Sequence, residues 1–388
     1  MRIEEYEKIC CKSSLATFDP YDIWQTHVGF TVKNLFNHSK WAALFPAALL
    51  TLFDFFINNQ KRFFYTRREY PIVRAWSILI LLNLYSLSEK PELLRWAREH
   101  LEWLMQHGCK GYSGHCWGLG FRYPVAEGLI YGPDMPLFTM TPYVLEAVVG
   151  LSQVEQVDSN IMRSIYCFYE NDLCVMEEND DYIVTSYSAA KDRRVVNAVS
   201  YSMLAFALFL ANINIDQEPA VSIKIRKMYN FIVKSQKADG SWYYSPDGNS
   251  FIDCFHSCIV LKNIIKTNEL FHLHACEEVI ARGYKFIKES FWVEREGLFK
   301  RFAKSNKPSM VKFDLYDNAE MLNLAILMQD WTLAYDLKDA IENNFCVKDD
   351  IYSQIDIFGN QRNRNMLRWA VMPYLYALSL LELKGRRC

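Results

Sequence analysis

Two kinds of helix alternate along this chain, and that alternation leaves few folds open to it. Segments 70–87, 137–154, 194–213 and 364–384 are apolar nearly all round and rich in Ala, Leu, Val and Tyr. Segments 92–107, 219–236, 274–290 and 331–345 are apolar on one face only. There the apolar residues recur at three and four, as in Leu93, Leu94, Ala97, Leu101, Leu104 and Met105, and the other face carries Arg, Lys and Glu. A helix apolar on every side has to be buried on every side, while an amphipathic one lies between core and water. Alternation of the two therefore describes an inner ring of helices wrapped by an outer ring. Further helices are expected near 22–37, 41–58, 159–171, 251–267 and 315–328, and strand-type alternation is nearly absent. The total of roughly a dozen helices suits six helical hairpins. No Pro-, Gly- or Ser-rich linker interrupts the pattern, so residues 1–388 read as one all-α domain, an (α/α)6 toroid.

Composition removes several function classes. The chain carries 43 basic and 45 acidic residues for a formal charge of −2, which gives nucleic acid nothing to hold. Its 11 cysteines are scattered, Cys388 last, and residues 1–8 are polar rather than a secretory leader. Unpaired thiols behind a polar start indicate a reducing cytoplasm. Two apolar stretches, 42–57 and 72–87, are interrupted by Pro46 and Asp54 and by Arg74 and Asn83. Both fall short of the roughly 20 apolar residues that a membrane span needs. They read as buried inner helices, with no transmembrane segment.

The loops after the outer helices share a texture. Gly111-Tyr112-Ser113-Gly114-His115-Cys116-Trp117-Gly118 is followed later by Asp239-Gly240-Ser241-Trp242-Tyr243-Tyr244 and by Gly297-Leu298-Phe299. Glycine ends the helix in a left-handed turn and an aromatic folds back on the hairpin. The weak recurrence points to an internal hairpin repeat.

Residues 234–242 (KSQKADGSW) resemble the Q-x-x-D-G-S-W repeat of the terpene cyclase and protein prenyltransferase superfamily, which builds toroids of paired helices. A closer resemblance is to the VpsJ-like proteins of bacterial exopolysaccharide and lipopolysaccharide loci. Four blocks carry it in order: 114–124 (GHCWGLGFRYP) with 136–147 (PLFTMTPYVLEA), 185–197 (TSYSAAKDRRVVN), 241–261, and Arg368-Trp369 with 374–378. This resemblance implies a six-hairpin toroid and a role in surface-polysaccharide production, but no particular reaction. Two departures bear on substrate contacts: Arg122-Tyr123 stands where a more acidic-aromatic pair is usual, and Cys254 replaces Asn or Ser.

Three polar constellations could carry chemistry. Asp253, Cys254 and His256 open an apolar helix. At its N-terminus the helix dipole favours a neutral His256 that can accept a proton, while Asp253 also suits an N-cap. Asp, Cys and His together suit zinc, but residues adjacent on a helix point about 100° apart, so no metal and no cofactor is assigned. Asp314, Asp317 and Glu320 share one face at spacing three, either capping a helix or pairing with Asp253 for glycosidic cleavage. Tyr187, Arg194, Asn197 and Arg368 offer a base and a cation, as needed to remove a proton beside a sugar carboxylate. Trp117, Trp242, Tyr244 and Trp369 at loop positions offer faces on which sugars stack, with Arg122, Asn197 and Arg368 as polar contacts.

The expected site therefore has His256, Asp253, Tyr187 and Asp317 as catalytic groups. Its expected ligand is a saccharide or a lipid-linked saccharide, and its expected protein partners belong to the polysaccharide assembly machinery. The leading reading is an epimerase, lyase or hydrolase. A zinc-dependent prenyltransferase- or lanthionine-cyclase-like toroid and a non-catalytic glycan-binding scaffold are the alternatives.

Overall fold

A computed structural model of the chain describes residues 3–247, 250–305 and 308–385; Met1, Arg2 and Cys388 lie outside them. The N-terminal part holds α1 (Ile3–Cys10), a single-turn α2 (Asp22–Gln25), α3 (His27–His38) and α4 (Lys40–Leu52), the last running on as a π-helical turn to Asn58. Paired helices follow: α5 (Pro71–Ser88) with α6 (Pro91–Gln106), α7 (Thr141–Ser152) with α8 (Ser159–Asp172), and α9 (Val196–Asn212) with α10 (Glu218–Ser235). Next come α11 (Cys254–Leu270) with α12 (Cys276–Phe291), α13 (Leu315–Leu327) with α14 (Trp331–Phe345), and a last helix, α15 (Met372–Gly385).

The fold is the expected (α/α)6 toroid. Helices α5, α7, α9, α11, α13 and α15 pack each on the next, and α15 returns to α5 to close the ring. Each inner helix therefore has protein on both flanks and on its back. That explains a segment such as α9, buried continuously from Val196 to Phe209. The outer helices bury one stripe each: α6 presents Leu93, Leu94, Ala97, His100, Leu101 and Leu104 inward. The sixth outer place belongs to α1, which packs on α5 with Tyr6 buried. Its eight residues make barely two turns, too few for an apolar period to show in the sequence.

Two expectations are corrected. The segment 42–57 is not an inner helix, because α4 packs on α3 outside the ring and leaves most of its apolar surface exposed. Strands are also present, in short antiparallel pairs too brief for alternation to show. These are β1 (Tyr123–Ala126) with β2 (Leu129–Tyr131), β3 (Val175–Glu178) with β4 (Ile183–Thr185), and β5 (Ile252–Asp253), which pairs with β8 (Phe302–Lys304). A further pair is β6 (Trp292–Val293) with β7 (Leu298–Phe299). The remaining four, β9 (Val311–Asp314), β10 (Cys346–Val347), β11 (Asp350–Asp356) and β12 (Gln361–Arg364), form one sheet.

The loop repeat is a structural device. Trp117 and Trp242 are both buried and donate their indole N–H to carbonyls of the preceding outer helix, Leu104 at 2.9 Å and Ile232 at 2.9 Å. The glycine before each lets the loop touch the next outer helix. A Cβ at Gly114 would stand 1.7 Å from the Ser164 carbonyl oxygen, and one at Gly240, where φ is +90°, would stand 2.4 Å from that of Arg282.

A buried node fastens α1 to the ring. His100 Nδ1 accepts from Arg74 Nη1 at 2.8 Å, and its Nε2–H donates to the Cys10 carbonyl at 2.7 Å. Arg74 also donates to the Ser13 carbonyl at 2.7 Å. Burial, helped by the Arg74 charge, pushes His100 from 6.5 down to about 4. The imidazole therefore folds neutral, while the unfolded chain protonates it first as pH falls. Its contribution is complete above about pH 6.5 and is lost progressively toward pH 4. His100→Gln keeps a donor and an acceptor but cannot protonate. Thermal unfolding followed from pH 7 to pH 4 should show a shallower loss of melting temperature in this variant than in the parent, by an amount corresponding to about 3 kcal/mol at most.

Candidate active site at one mouth of the toroid

Because the inner helices all run the same way, the connections sort by end. Those leaving an inner helix are short, such as 89–90 and 328–330. Those entering one are long, as in 107–140, 173–195, 236–253, 292–314 and 346–371, and they hold every strand among the described residues. All the elaborate backbone thus gathers at one mouth, where the inner helices begin.

Asp253 precedes α11, yet its side chain caps no backbone N–H. The free N–H of Phe255 is taken instead by Asp317 Oδ1 from α13 at 3.0 Å. Asp253 is thereby released to receive His256 Nδ1, at 2.9 Å and 2.8 Å from its two oxygens. A carboxylate on Nδ1 holds that nitrogen protonated and leaves Nε2 with its lone pair. The half-buried imidazole lies 3.8 Å from the Phe255 ring and 4.6 Å from that of Tyr244, centroid to centroid.

From His256 an arc of rings runs both ways around the mouth. On one side Phe255 meets Tyr316 at 5.1 Å, Tyr316 stacks on Trp369 at 4.9 Å, and Trp369 meets Tyr21 at 5.8 Å. On the other, Arg193 lies between Tyr244 (6.0 Å) and Tyr187 (4.1 Å), and Tyr187 stacks on Tyr131 at 6.3 Å. Trp369 is aimed by its own N–H, which donates to Asp314 at 3.1 Å, and by the strained turn after it, where Ala370 has φ +89°. Asp314 also caps α13 through Tyr316 N (2.9 Å) and accepts from Gln354 (3.0 Å) and Arg301 (3.2 Å). Arg301 reaches across toward the Trp369 face at 5.7 Å. The Nε atoms of Arg193 and Arg301 are buried without a partner.

The residues singled out from sequence separate into groups. His256, Asp253, Tyr187, Tyr244 and Trp369 come together in the arc. Asn197, in the first turn of α9, shares a narrow crevice with Tyr244, Asp253 and His256, and its Oδ1 is buried without a partner. Trp117 does not reach the mouth, because it is wholly enclosed as a loop plug. Trp242 is likewise a plug, touching only the wall of that crevice. Arg122 is exposed and stacks on Phe30 of α3 at 4.3 Å. Arg368 cannot clamp a substrate carboxylate, since its fork already holds Asp19 at 2.5 Å and 2.7 Å. Asp317 lies enclosed beneath the arc, where its Oδ1 caps α11.

Arg193, Arg301, Tyr131, Tyr316 and Tyr21 were missed. Arg193 stands one residue from Arg194, which instead binds Glu177 at 2.6 Å and also contacts Asp247. An antiparallel bridge between Ser186 and Arg194 sets the two neighbouring side chains on opposite sides of the segment.

The geometry does not make Asp253, Cys254 and His256 a ligand set. The Cys254 thiol is buried against Cys258 (4.0 Å) and the Asp317 carbonyl (3.9 Å), while Asp253 and His256 face each other. Among the described residues, no group of three His, Cys, Asp or Glu side chains is placed to hold a metal ion.

No protein-family model matches the sequence, and no curated protein is significantly similar to it. Solved structures share its fold. A cellobiose 2-epimerase from Bacillus thermoamylovorans superposes with a TM-score of 0.62 at 10% identity, over 82% of this chain and 88% of that one. A D-mannose isomerase gives 0.60 at 14% identity, over 82% and 87%. The GH76 α-mannanase BT2949 of Bacteroides thetaiotaomicron gives 0.59 at 10% identity, over 91% and 98%. The chain is thus an (α/α)6 toroid built like these three.

Asp317 provides a test of the cap. Burial raises its carboxyl well above the ordinary range, with Arg301 opposing and Asp314 and Asp253 adding to the effect, and its Oδ2 has no partner. A carboxyl that stays protonated in the fold costs nothing below the unfolded value of about 3.9, and costs more as pH rises above it. Asp317→Asn retains the acceptor for Phe255 N without that cost. Its melting temperature, followed by circular dichroism, should exceed the parent's near pH 8, the difference closing toward pH 4.

Proposed function

We propose that this protein is a carbohydrate-active enzyme that moves a proton at a sugar carbon beside a carbonyl or carboxylate, as epimerases, isomerases and lyases do. The observation that carries the reading is His256, oriented by Asp253 within an aromatic arc that also holds two half-buried arginines. The arc supplies stacking faces for pyranose rings. With Nδ1 engaged, the Nε2 lone pair of His256 takes the proton from carbon. The C–H electron pair becomes a C=C bond as the carbonyl electrons move to oxygen, and a guanidinium beside that oxygen stabilises the enolate. Return of a proton to the other face gives an epimer, and loss of the neighbouring glycosidic oxygen gives an unsaturated sugar.

Hydrolysis by two carboxylates fits less well, because the acids of the mouth other than the enclosed Asp317 are already engaged. Asp253 is on His256, Asp314 on Trp369 and Arg301, and Asp192 on Ser188 and Tyr131. The fold shared with an epimerase and an isomerase supports the reading. The order of the four sequence blocks supports a place in surface-polysaccharide production, acting on a free or lipid-linked saccharide. Ten free thiols among the described residues suit the cytoplasm.

The test is turnover in deuterium oxide with reducing disaccharides, mannose and uronic-acid oligosaccharides, read by NMR and by ultraviolet absorbance of unsaturated products. Solvent deuterium should appear at the carbon next to the carbonyl or carboxylate, falling at least about 100-fold in His256→Ala. Asp253→Asn should lower turnover with little change in saccharide affinity. Binding that survives both substitutions with no exchange would make the protein a glycan-binding scaffold, and turnover without exchange would make it a hydrolase.

A further inference from the structure

The α3–α4 hairpin lies outside the ring with no counterpart in the inner–outer pattern. Its surface is unlike the rest of the molecule. Trp41 is 90% exposed, Phe45 78%, Leu49 57% and Ile57 64%. The turn that follows adds Phe63 (54%) and Phe64 (88%), the latter held at φ +67°, where a bulky side chain is strained. Contiguous exposed apolar surface of this kind marks an interaction site.

The helix from Lys40 to Asn58 is apolar and long enough to cross a bilayer, with 11% of it buried. Both its ends, however, return to the toroid. Beside its N-terminus Asn37 donates to the Pro124 carbonyl at 3.2 Å, and beyond its C-terminus Asn59 donates to Asn363 at 2.8 Å. The helix therefore lies along the toroid's side rather than leaving it, as interfacial helices do.

Charge selects the occupant. From residue 23 to 68 the only carboxylate is Asp54, against Lys33, Lys40, Lys61, Arg62, Arg67 and Arg68, in a chain that is net acidic. Asp54 is already held by Tyr65 at 2.6 Å and Arg62 at 3.8 Å. Lys61 and Arg67 lie over the Phe63 and Phe18 rings, at the edge of a cavity that Arg62 and Arg364 also line and that backs onto Leu367. Aromatic and aliphatic side chains flanked by an excess of cations over carboxylates match the boundary between acyl chains and anionic headgroups. A second copy of the chain fits poorly, because a two-fold pairing would set these cations against themselves.

We infer that the α3–α4 hairpin and the 61–68 turn dock this protein on the surface of an anionic bilayer, with Trp41, Phe45 and Phe64 inserted and Lys61, Arg67 and Arg68 on the headgroups. The hairpin touches the start of β1 through Phe30 and Arg122, the residue before that strand, and Tyr123 of β1 meets Tyr21 at 5.7 Å. Docking would thus bring the mouth's rim close to the membrane. The inference is independent of the reaction proposed above and is tested without any saccharide.

The experiment is flotation of the full chain with phosphatidylcholine vesicles, with and without phosphatidylglycerol, alongside tryptophan emission. The protein should float only with the anionic vesicles, with a blue shift that disappears in Trp41→Ser. The double variant Trp41→Ser/Phe45→Ser and the double variant Lys61→Glu/Arg67→Glu should each lower partitioning by about tenfold or more at unchanged melting temperature, and added salt should weaken the parent. Failure to float with either vesicle, or flotation unaffected by both variants, overturns the inference. So does a dimer in sedimentation that Trp41→Ser/Phe45→Ser dissociates, with no vesicle binding, since the apolar face would then belong to a second copy.

Discussion

A closed ring of helices has to join its two chain ends, and here one buried ion pair sits at the joint. Asp19 and Arg368 are 349 residues apart and both enclosed, and their two-point contact locks the N-terminal segment to the turn before α15. Neighbouring bonds reinforce it: Thr17 accepts from Leu367 N at 3.0 Å, and Asn59 accepts from Asn363 N at 2.9 Å. Removing one partner of such a pair leaves the other charge buried and uncompensated, a loss larger than the pair's own net worth. The wall of the mouth depends on this joint, because Tyr21 and Trp369 are carried on its two sides.

The mouth itself is organised by how its acids are shared. Asp317 caps α11 from the neighbouring helix, so Asp253 is free to orient His256. Asp314 caps its own helix and gathers Trp369, Arg301 and Gln354 around the same carboxylate. With helix caps supplied across the ring, a residue that would ordinarily end a helix becomes part of a histidine pair. Neither Arg193 nor Arg301 spends all its donors on protein groups, so two guanidinium groups with donors to spare stand among the rings of the mouth while most of the carboxylates are satisfied.

The hairpin outside the ring answers to a different solvent. Inner helices are apolar because protein surrounds them. The helix from Lys40 to Asn58 is equally apolar with little protein around it, and its cations lie where water and headgroups would meet. The same composition thus has opposite causes in α5 and α4, and only the packing partners tell them apart.

The sequence by itself determined the class of architecture. Hydrophobic periodicity records how many sides of a helix are covered, so a ring of inner helices wrapped by outer ones could be read from it, though not that α4 lies outside the ring or that α1 fills the sixth outer place. It also determined part of the site, because His256 and Asp253 are three residues apart and a helix brings that spacing together. Tertiary structure decided what depends on facing and distance between loops. Trp117 and Trp242 share their loop texture with Tyr244, yet the first two turn inward as plugs and the third outward, a choice made by which carbonyl lies within reach of an indole N–H. Arg193 rather than Arg194 faces the cleft because strand-like pairing alternates sides with every residue. Arg368 is spent on Asp19, a partner at the far end of the chain. Pattern along a sequence encodes burial, a property averaged over a helix face; the placing of single polar atoms is set by contacts between distant segments, which no local period contains.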